Sequence, residues 1–140
     1  MNLVAIAAQF ASRAHSGQHR RDGITPYINH PAAVADRLKG ESEVVIATAW
    51  LHDVLEDTDA TADEMRAAGI PDSVVHAVEV LTKSEDVFYE SYLRGVRQNW
   101  IATKVKIADM IHNLSDAPTE KQIIKYAKGL LVLCRKMEAE

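Results

Sequence analysis

Apolar side chains recur three and four residues apart through nearly the whole chain, and no stretch alternates apolar with polar as a half-buried strand does. That period predicts an all-α fold, a compact helical bundle of about eight helices. The 140 residues suit a single domain, with a core that needs neither disulfides nor a structural zinc.

Capping and breaking residues divide the pattern. A first helix is expected over residues 3–15, turning Leu3, Ile6, Ala7, Phe10 and Ala14 inward, with Ser16-Gly17-Gln18 ending it. A polar loop then leads to Asn29-His30-Pro31, where the asparagine caps a second helix and the proline takes its first turn. The third begins near Ser42, draws on Val44, Val45, Ile46, Ala49, Trp50 and Leu51 for core, and carries His52 and Asp53 in its later turns. Thr61-Ala62-Asp63-Glu64 reads as a capping box for a short helix ended by Gly69, and Pro71 opens the next, which buries Val74, Val75, Val78 and Leu81. Three more follow: 86–98, rich in aromatic and basic residues; 100–115, bearing Asp109 and Asn113; and 119–137, packing through Ile123, Ile124, Ala127, Leu130 and Leu131.

The net charge of −4 and pI near 5.8 argue against broad nucleic-acid binding, while leaving local basic clusters free to grip phosphates. No apolar run is long enough to span a membrane, and residues 1–8 lack the basic start of a secretory signal. The one cysteine, Cys134, ends the apolar run 129–134 and is expected to be a buried thiol, in keeping with a reducing cytoplasm.

Against this background four metal-binding side chains stand out: His30, the adjacent pair His52-Asp53, and the distant Asp109. Two imidazoles and two carboxylates suit Mn²⁺, Fe²⁺ or Zn²⁺ with positions left for water and substrate, which is hydrolytic chemistry. Glu56 follows His52 by four residues and Asp57 follows Asp53 by four, so on a continuous helix the acids share its face and offer a general acid or base. Gathering so many ionisable groups on an apolar helix costs free energy unless an ion or hydrogen bonds compensate.

Longer blocks add a family. His15-Ser16-Gly17-Gln18-His19-Arg20-Arg21 and Thr25-Pro26-Tyr27-Ile28-Asn29-His30-Pro31, then Ala49 to Thr58 around His52-Asp53, then Lys104 to Leu114 around Asp109, resemble the hydrolase domains of RelA/SpoT-type alarmone enzymes. The match covers most of 8–114. Because 140 residues leave no room for synthetase and regulatory domains, the chain is similar to the free-standing small alarmone hydrolases built on an HD domain. The resemblance implies removal of the 3′-pyrophosphate of ppGpp or pppGpp with Mn²⁺ as cofactor. It makes His30, His52, Asp53 and Asp109 the metal ligands and Glu56 and Asp57 the catalytic acids. Arg20 and Arg21 become the base and phosphate contacts, and Asn113 a ribose or base contact. His112 is assigned to packing or to support of a ligand, and Lys83 and Lys106 either add positive potential to the site or are ordinary helix-surface charge. Met110 departs from the pattern, standing where many relatives carry a basic residue. Two other readings fit the same metal set: a phosphohydrolase of an adenine alarmone or a phosphorylated dinucleotide cofactor, and a silent nucleotide-binding regulatory module. Exposed apolar positions on the terminal helices are compatible with a homodimer.

Overall fold

The computed structural model describes residues 1–138, with side chains to Cys134, and among these residues the fold is all-α, with no β-strand. In chain order the helices are α1 (Leu3–Ala14), α2 (Asn29–Arg37), α3 (Glu43–Leu51), α4 (Val54–Asp57), α5 (Ala62–Ala67), α6 (Asp72–Leu81), α7 (Tyr89–Arg97), α8 (Trp100–Ser115) and α9 (Glu120–Glu138).

Several ends follow local chemistry. Asn2 caps α1 by accepting from the Ala5 amide at 2.8 Å, and Asn99 caps α8 by accepting from Ala102 at 2.9 Å. The capping box at Thr61 and Glu64 is present, and α5 runs out into Gly69 at φ +96°, a left-handed turn that glycine adopts without strain. At α2 the expectation shifts by a residue. Ile28 is the flanking position and Asn29 is already helical, so the asparagine caps nothing.

The centre of the molecule is α3, which packs against α1, α2, α6 and α8. Its sequence EVVIATAWL has no polar stripe, as a helix surrounded on all sides requires. One core cluster lies on its α1 and α6 side, around Ala7, Ala11, Leu51, Val74 and Val78. The other lies toward α7, α8 and α9, around Val45, Leu93, Val96, Val105 and Met110. Met110, the departure from the family pattern, is fully buried there.

Three expectations are corrected. The third helix does not run on through His52 and Asp53. It ends at Leu51, Asp53 stands at φ −102° and ψ −1°, and a new four-residue turn, α4, starts beyond it, which takes the count to nine. On α9 the inward face is Tyr126, Gly129, Leu130 and Leu133, whereas Ile123, Ile124, Ala127 and Leu131 face outward, with Leu131 61% exposed. Of the five residues expected to pack, only Leu130 does so. Gly129 sets this rotation, because its bare Cα lets α9 lie against α8 and α7; a Cβ there meets Met110 Cε at 2.8 Å and Leu93 Cδ1 at 3.2 Å. Cys134 is exposed rather than buried, since the next helical position beyond buried Leu133 turns about 100° away from the core.

Candidate metal centre

The break after α3 is what assembles the site. α2 presents His30 from its first turn, the end of α3 presents His52, and α8 presents Asp109 from its middle. All three are buried, and their ligand atoms lie within 4.8 Å of one another. His30 Nε2 is 2.8 Å from Asp109 Oδ1, and His52 Nε2 is 3.4 Å from that same oxygen. Asp53 closes the group, its Oδ2 lying 3.1 Å from His52 Nε2 and 3.6 Å from His30 Nε2. The structure therefore brings all four of the expected ligands together.

Proton positions support a metal there. His52 Nδ1 donates to the Ala49 carbonyl at 2.7 Å, which turns Nε2 toward Asp53 and Asp109. That Nε2 is buried and makes no hydrogen bond despite two carboxylates beside it. An orphaned imidazole nitrogen among carboxylate oxygens, its ring held by a backbone carbonyl, is how metal-ligating histidines are oriented. His30 is held similarly: its Nδ1 lies 2.8 Å from His112 Nδ1, with the two rings stacked at 5.0 Å. If His30 keeps Nε2 free for a ligand bond, it donates through Nδ1 and His112 accepts. Burial, with His30 and Arg20 nearby, lowers the His112 pKa and suits it to the neutral acceptor role.

Charge completes the fit. Burial alone would raise the pKa of Asp53, but the charge on His52 beside it outweighs that and brings the group to about 2. Asp109, equally buried, is held well below the carboxylate range by Lys106, His30 and His52. Burial opposes the charged form of His52, yet Asp53 and Asp109 overcome it and raise that imidazole. Two carboxylates held in the ionised form beside two imidazoles make a donor set that fits a divalent metal.

Lys106 belongs to the site rather than to the helix surface. Its Nζ donates to Asp109 Oδ2 at 3.0 Å, its side chain is 15% exposed, and it lies 5.6 Å from the centre of the Tyr92 ring. A long stem that reaches inward from α8 is invisible in a sequence that shows only a lysine three residues before an aspartate.

A second cluster adjoins the first. Oxygens of Asp53, Glu56 and Asp57 also lie within 4.8 Å of one another, so Asp53 is common to both groups. The Tyr27 hydroxyl donates to Asp53 Oδ2 at 2.7 Å and sits 3.2 Å from Asp57 Oδ2. Glu56 Oε1 accepts from the Lys83 amide at 2.7 Å. Burial, reinforced by the Asp53 charge, raises the pKa of both Glu56 and Asp57. Carboxylates moved toward neutrality beside a metal position are suited to take a proton from water and to return it.

Both clusters form one side of a cavity of about 650 Å³. Arg20, Arg21, Lys83 and Lys125 bring positive charge to it, and Tyr27, Tyr89, Tyr92 and Tyr126 bring aromatic surface. Arg20 donates to Asp116 Oδ2 at 2.9 Å and lies 5.9 Å from the Tyr27 ring centre, so its guanidinium is already aligned. Arg21 is exposed at the rim. Asn113 lines the cavity while its Nδ2 donates to Asp109 Oδ1 at 3.2 Å. Tyr27, Tyr89, Tyr92, Lys125 and Tyr126 were missed from the sequence. For Lys125 and Tyr126 the cause is the misjudged rotation of α9, which assigned the pocket side of that helix to no role.

Fold and site together define an all-helical domain built around a buried histidine and carboxylate metal position. The chain belongs to the HD domain family, whose profile matches residues 7–106. It is 36% identical over 126 residues to the human guanosine-3′,5′-bis(diphosphate) 3′-pyrophosphohydrolase MESH1, a match covering 79% of this chain and 66% of that protein. It is 31% identical over 131 residues to a GTP pyrophosphokinase of Myxococcus xanthus, covering 81% of this chain but 17% of the longer protein. The chain thus spans under a fifth of that long relative and about two thirds of the human one. A solved structure, described as a metazoan ortholog of SpoT that hydrolyzes ppGpp and plays a role in starvation responses, superposes with a TM-score of 0.76 at 29% identity. That match covers 96% of this chain and 86% of the other.

Proposed function

We propose that this chain is a metal-dependent pyrophosphohydrolase that removes the 3′-pyrophosphate of ppGpp or pppGpp to give GDP or GTP. The observation that carries this reading is the double membership of Asp53, which stands 3.1 Å from His52 Nε2 and also groups with Glu56 and Asp57. A metal position and a proton acceptor that share a residue serve one reaction centre. The guanine nucleotide is supported by the human relative and by the metazoan structure, both named for that activity.

His30, His52, Asp53 and Asp109 would hold the ion, Mn²⁺ in this reading, which when bound lowers the pKa of a coordinated water. Glu56 or Asp57 takes the proton as the water oxygen bonds to the phosphorus attached at the ribose 3′-oxygen. The bond from that phosphorus to the 3′-oxygen breaks, a proton returns to the 3′-oxygen, and pyrophosphate departs. Lys106 neutralises the outer oxygen of Asp109, and Arg20, Arg21 and Asn113 grip the nucleotide. One exposed thiol with no partner cysteine suits the reducing cytoplasm proposed for it. A homodimer would cover the outward face of α9 at Ile123, Ile124 and Leu131, and sedimentation across a concentration range tests it.

The test is purified protein with Mn²⁺ against ppGpp, its adenine counterpart and a phosphorylated dinucleotide. Pyrophosphate and GDP from ppGpp at the highest kcat/KM is the expected result. Turnover only of another nucleotide, or binding of ppGpp without turnover, overturns the reading.

A further inference from the structure

The mechanism uses the metal end of the cavity and leaves its α7 and α9 side unexplained. There Lys125 lies 4.7 Å from the Tyr89 ring centre and 5.5 Å from that of Tyr126, and among the described residues it has no ion-pair partner. Its charged neighbours are Lys106 and Lys83 on one side of the balance and Asp109 and Glu56 on the other, with Asp109 already paired to Lys106. Burial, reinforced by the Lys106 charge, holds the Lys125 ammonium below the ordinary lysine range. In a chain with net charge −4, this corner gathers three lysines, of which only Lys106 is paired with a carboxylate among the described residues.

A second observation points the same way. The Tyr89 hydroxyl is shut off from water and makes no hydrogen bond, although Tyr89 lines the cavity. A buried donor without a partner carries an uncompensated desolvation cost and calls for an explanation. Burial pushes its phenol up to about 12, so it remains a donor at neutral pH. The Lys125 ammonium lies over this ring on a flexible four-carbon stem, so an anion that it binds is brought beside Tyr89.

We propose that Lys125 and the Tyr89 hydroxyl form a second anion subsite, which takes the 5′-phosphates of the nucleotide whose 3′ end is cleaved. This rests on the function proposed above. The metal end accounts for one phosphorylated end of a substrate, and a nucleotide phosphorylated at both ends is the ligand that uses both positions. A substrate with a bare 5′-hydroxyl would leave the Lys125 ammonium without an anionic partner.

The experiment compares ppGpp with guanosine 3′-diphosphate, which differ only at the 5′ end, in the wild type and in Lys125→Met, Lys125→Arg and Tyr89→Phe. One charge-assisted contact corresponds to a preference of about tenfold for the 5′-phosphorylated nucleotide, carried in KM. Lys125→Met should bring the ratio to within about twofold with kcat unchanged, and Lys125→Arg should keep most of it. Tyr89→Phe should narrow the ratio without lowering Tm, because the hydroxyl it removes has no partner in the protein. An unaltered ratio in Lys125→Met, or an equal loss for both nucleotides, overturns the subsite. If the wild type cleaves neither nucleotide, the proposed activity falls. The subsite is then judged by the calorimetric Kd ratio of the same pair, with the same outcomes for and against it.

Discussion

Lys106 and Glu56 show how single side chains here are set against the stability of the fold. Asp109 is 4% exposed, and Lys106 at 3.0 Å is its only non-histidine cation among the described residues. Breaking a buried pair by removing one partner costs about 3–5 kcal/mol, so Lys106→Met should lower denaturant-derived stability by that order in metal-free protein. Added Mn²⁺ should recover part of it by supplying the missing charge. Glu56 is the opposite case. Its folded pKa is raised above 4.5 by burial and by Asp53, so the folded state holds a proton that the unfolded state releases. Stability therefore falls as pH rises from about 4.5 through the folded pKa. Glu56→Gln should remove that pH dependence, leave Tm at pH 7 equal or higher, and lower kcat by about 10²–10⁴-fold if Glu56 is the proton acceptor. A Tm that drops while kcat holds would assign Glu56 to the fold instead. The proposed ligands His30, His52, Asp53 and Asp109 could be picked out of the sequence because their side chains are chemically specific. Lys106 and Tyr27 were not, since a lysine or tyrosine declares its role only through what its far end reaches.

At the scale of elements, the decisive feature is the interruption after Leu51. A continuous helix would set Asp53, Glu56 and Asp57 at ordinary helical intervals. The break instead leaves His52 facing His30 and Asp109, while α4 turns the acids toward the cavity. Periodicity could not reveal it, because both sides of the break are helical and no glycine or proline marks it. The rotation of α9 was missed for a related reason: Ile123, Ile124 and Leu131 outweigh Tyr126 and Gly129 in apolar content, yet close approach to Met110 selects the glycine face. Gly129→Val should accordingly destabilise by about 1–3 kcal/mol in urea unfolding, through overpacking against Met110 and Leu93. A neutral effect would mean that α9 is held by something other than this approach. The faces of α1, α3 and α6 were readable, since alanine and valine at helical spacing have no competing stripe.

For the whole molecule, two apolar clusters on either side of α3 hold apart the helices that supply the ligands, so the metal position lies where three helices meet. Sequence patterning was sufficient for the all-α class because it depends only on period. It was insufficient for the cavity wall, which depends on how α7 and α9 are turned toward α8. A site placed at such a junction links metal binding to the fold, and an ion that binds only the folded chain stabilises it by mass action, about 2.7 kcal/mol at a hundredfold excess over Kd. Chelation should therefore lower Tm in the wild type and leave Asp109→Asn almost unaffected.

In the proposed reaction one divalent ion, held by His30, His52, Asp53 and Asp109, drives pyrophosphate release from ppGpp. Titrating metal-stripped protein with Mn²⁺ while following that release tests it most directly. Turnover should rise from background to a plateau at one ion per chain, and Asp109→Asn should lose metal affinity and turnover together. Undiminished release in excess chelator, or an Asp109→Asn variant that turns over as the wild type does, would contradict the account.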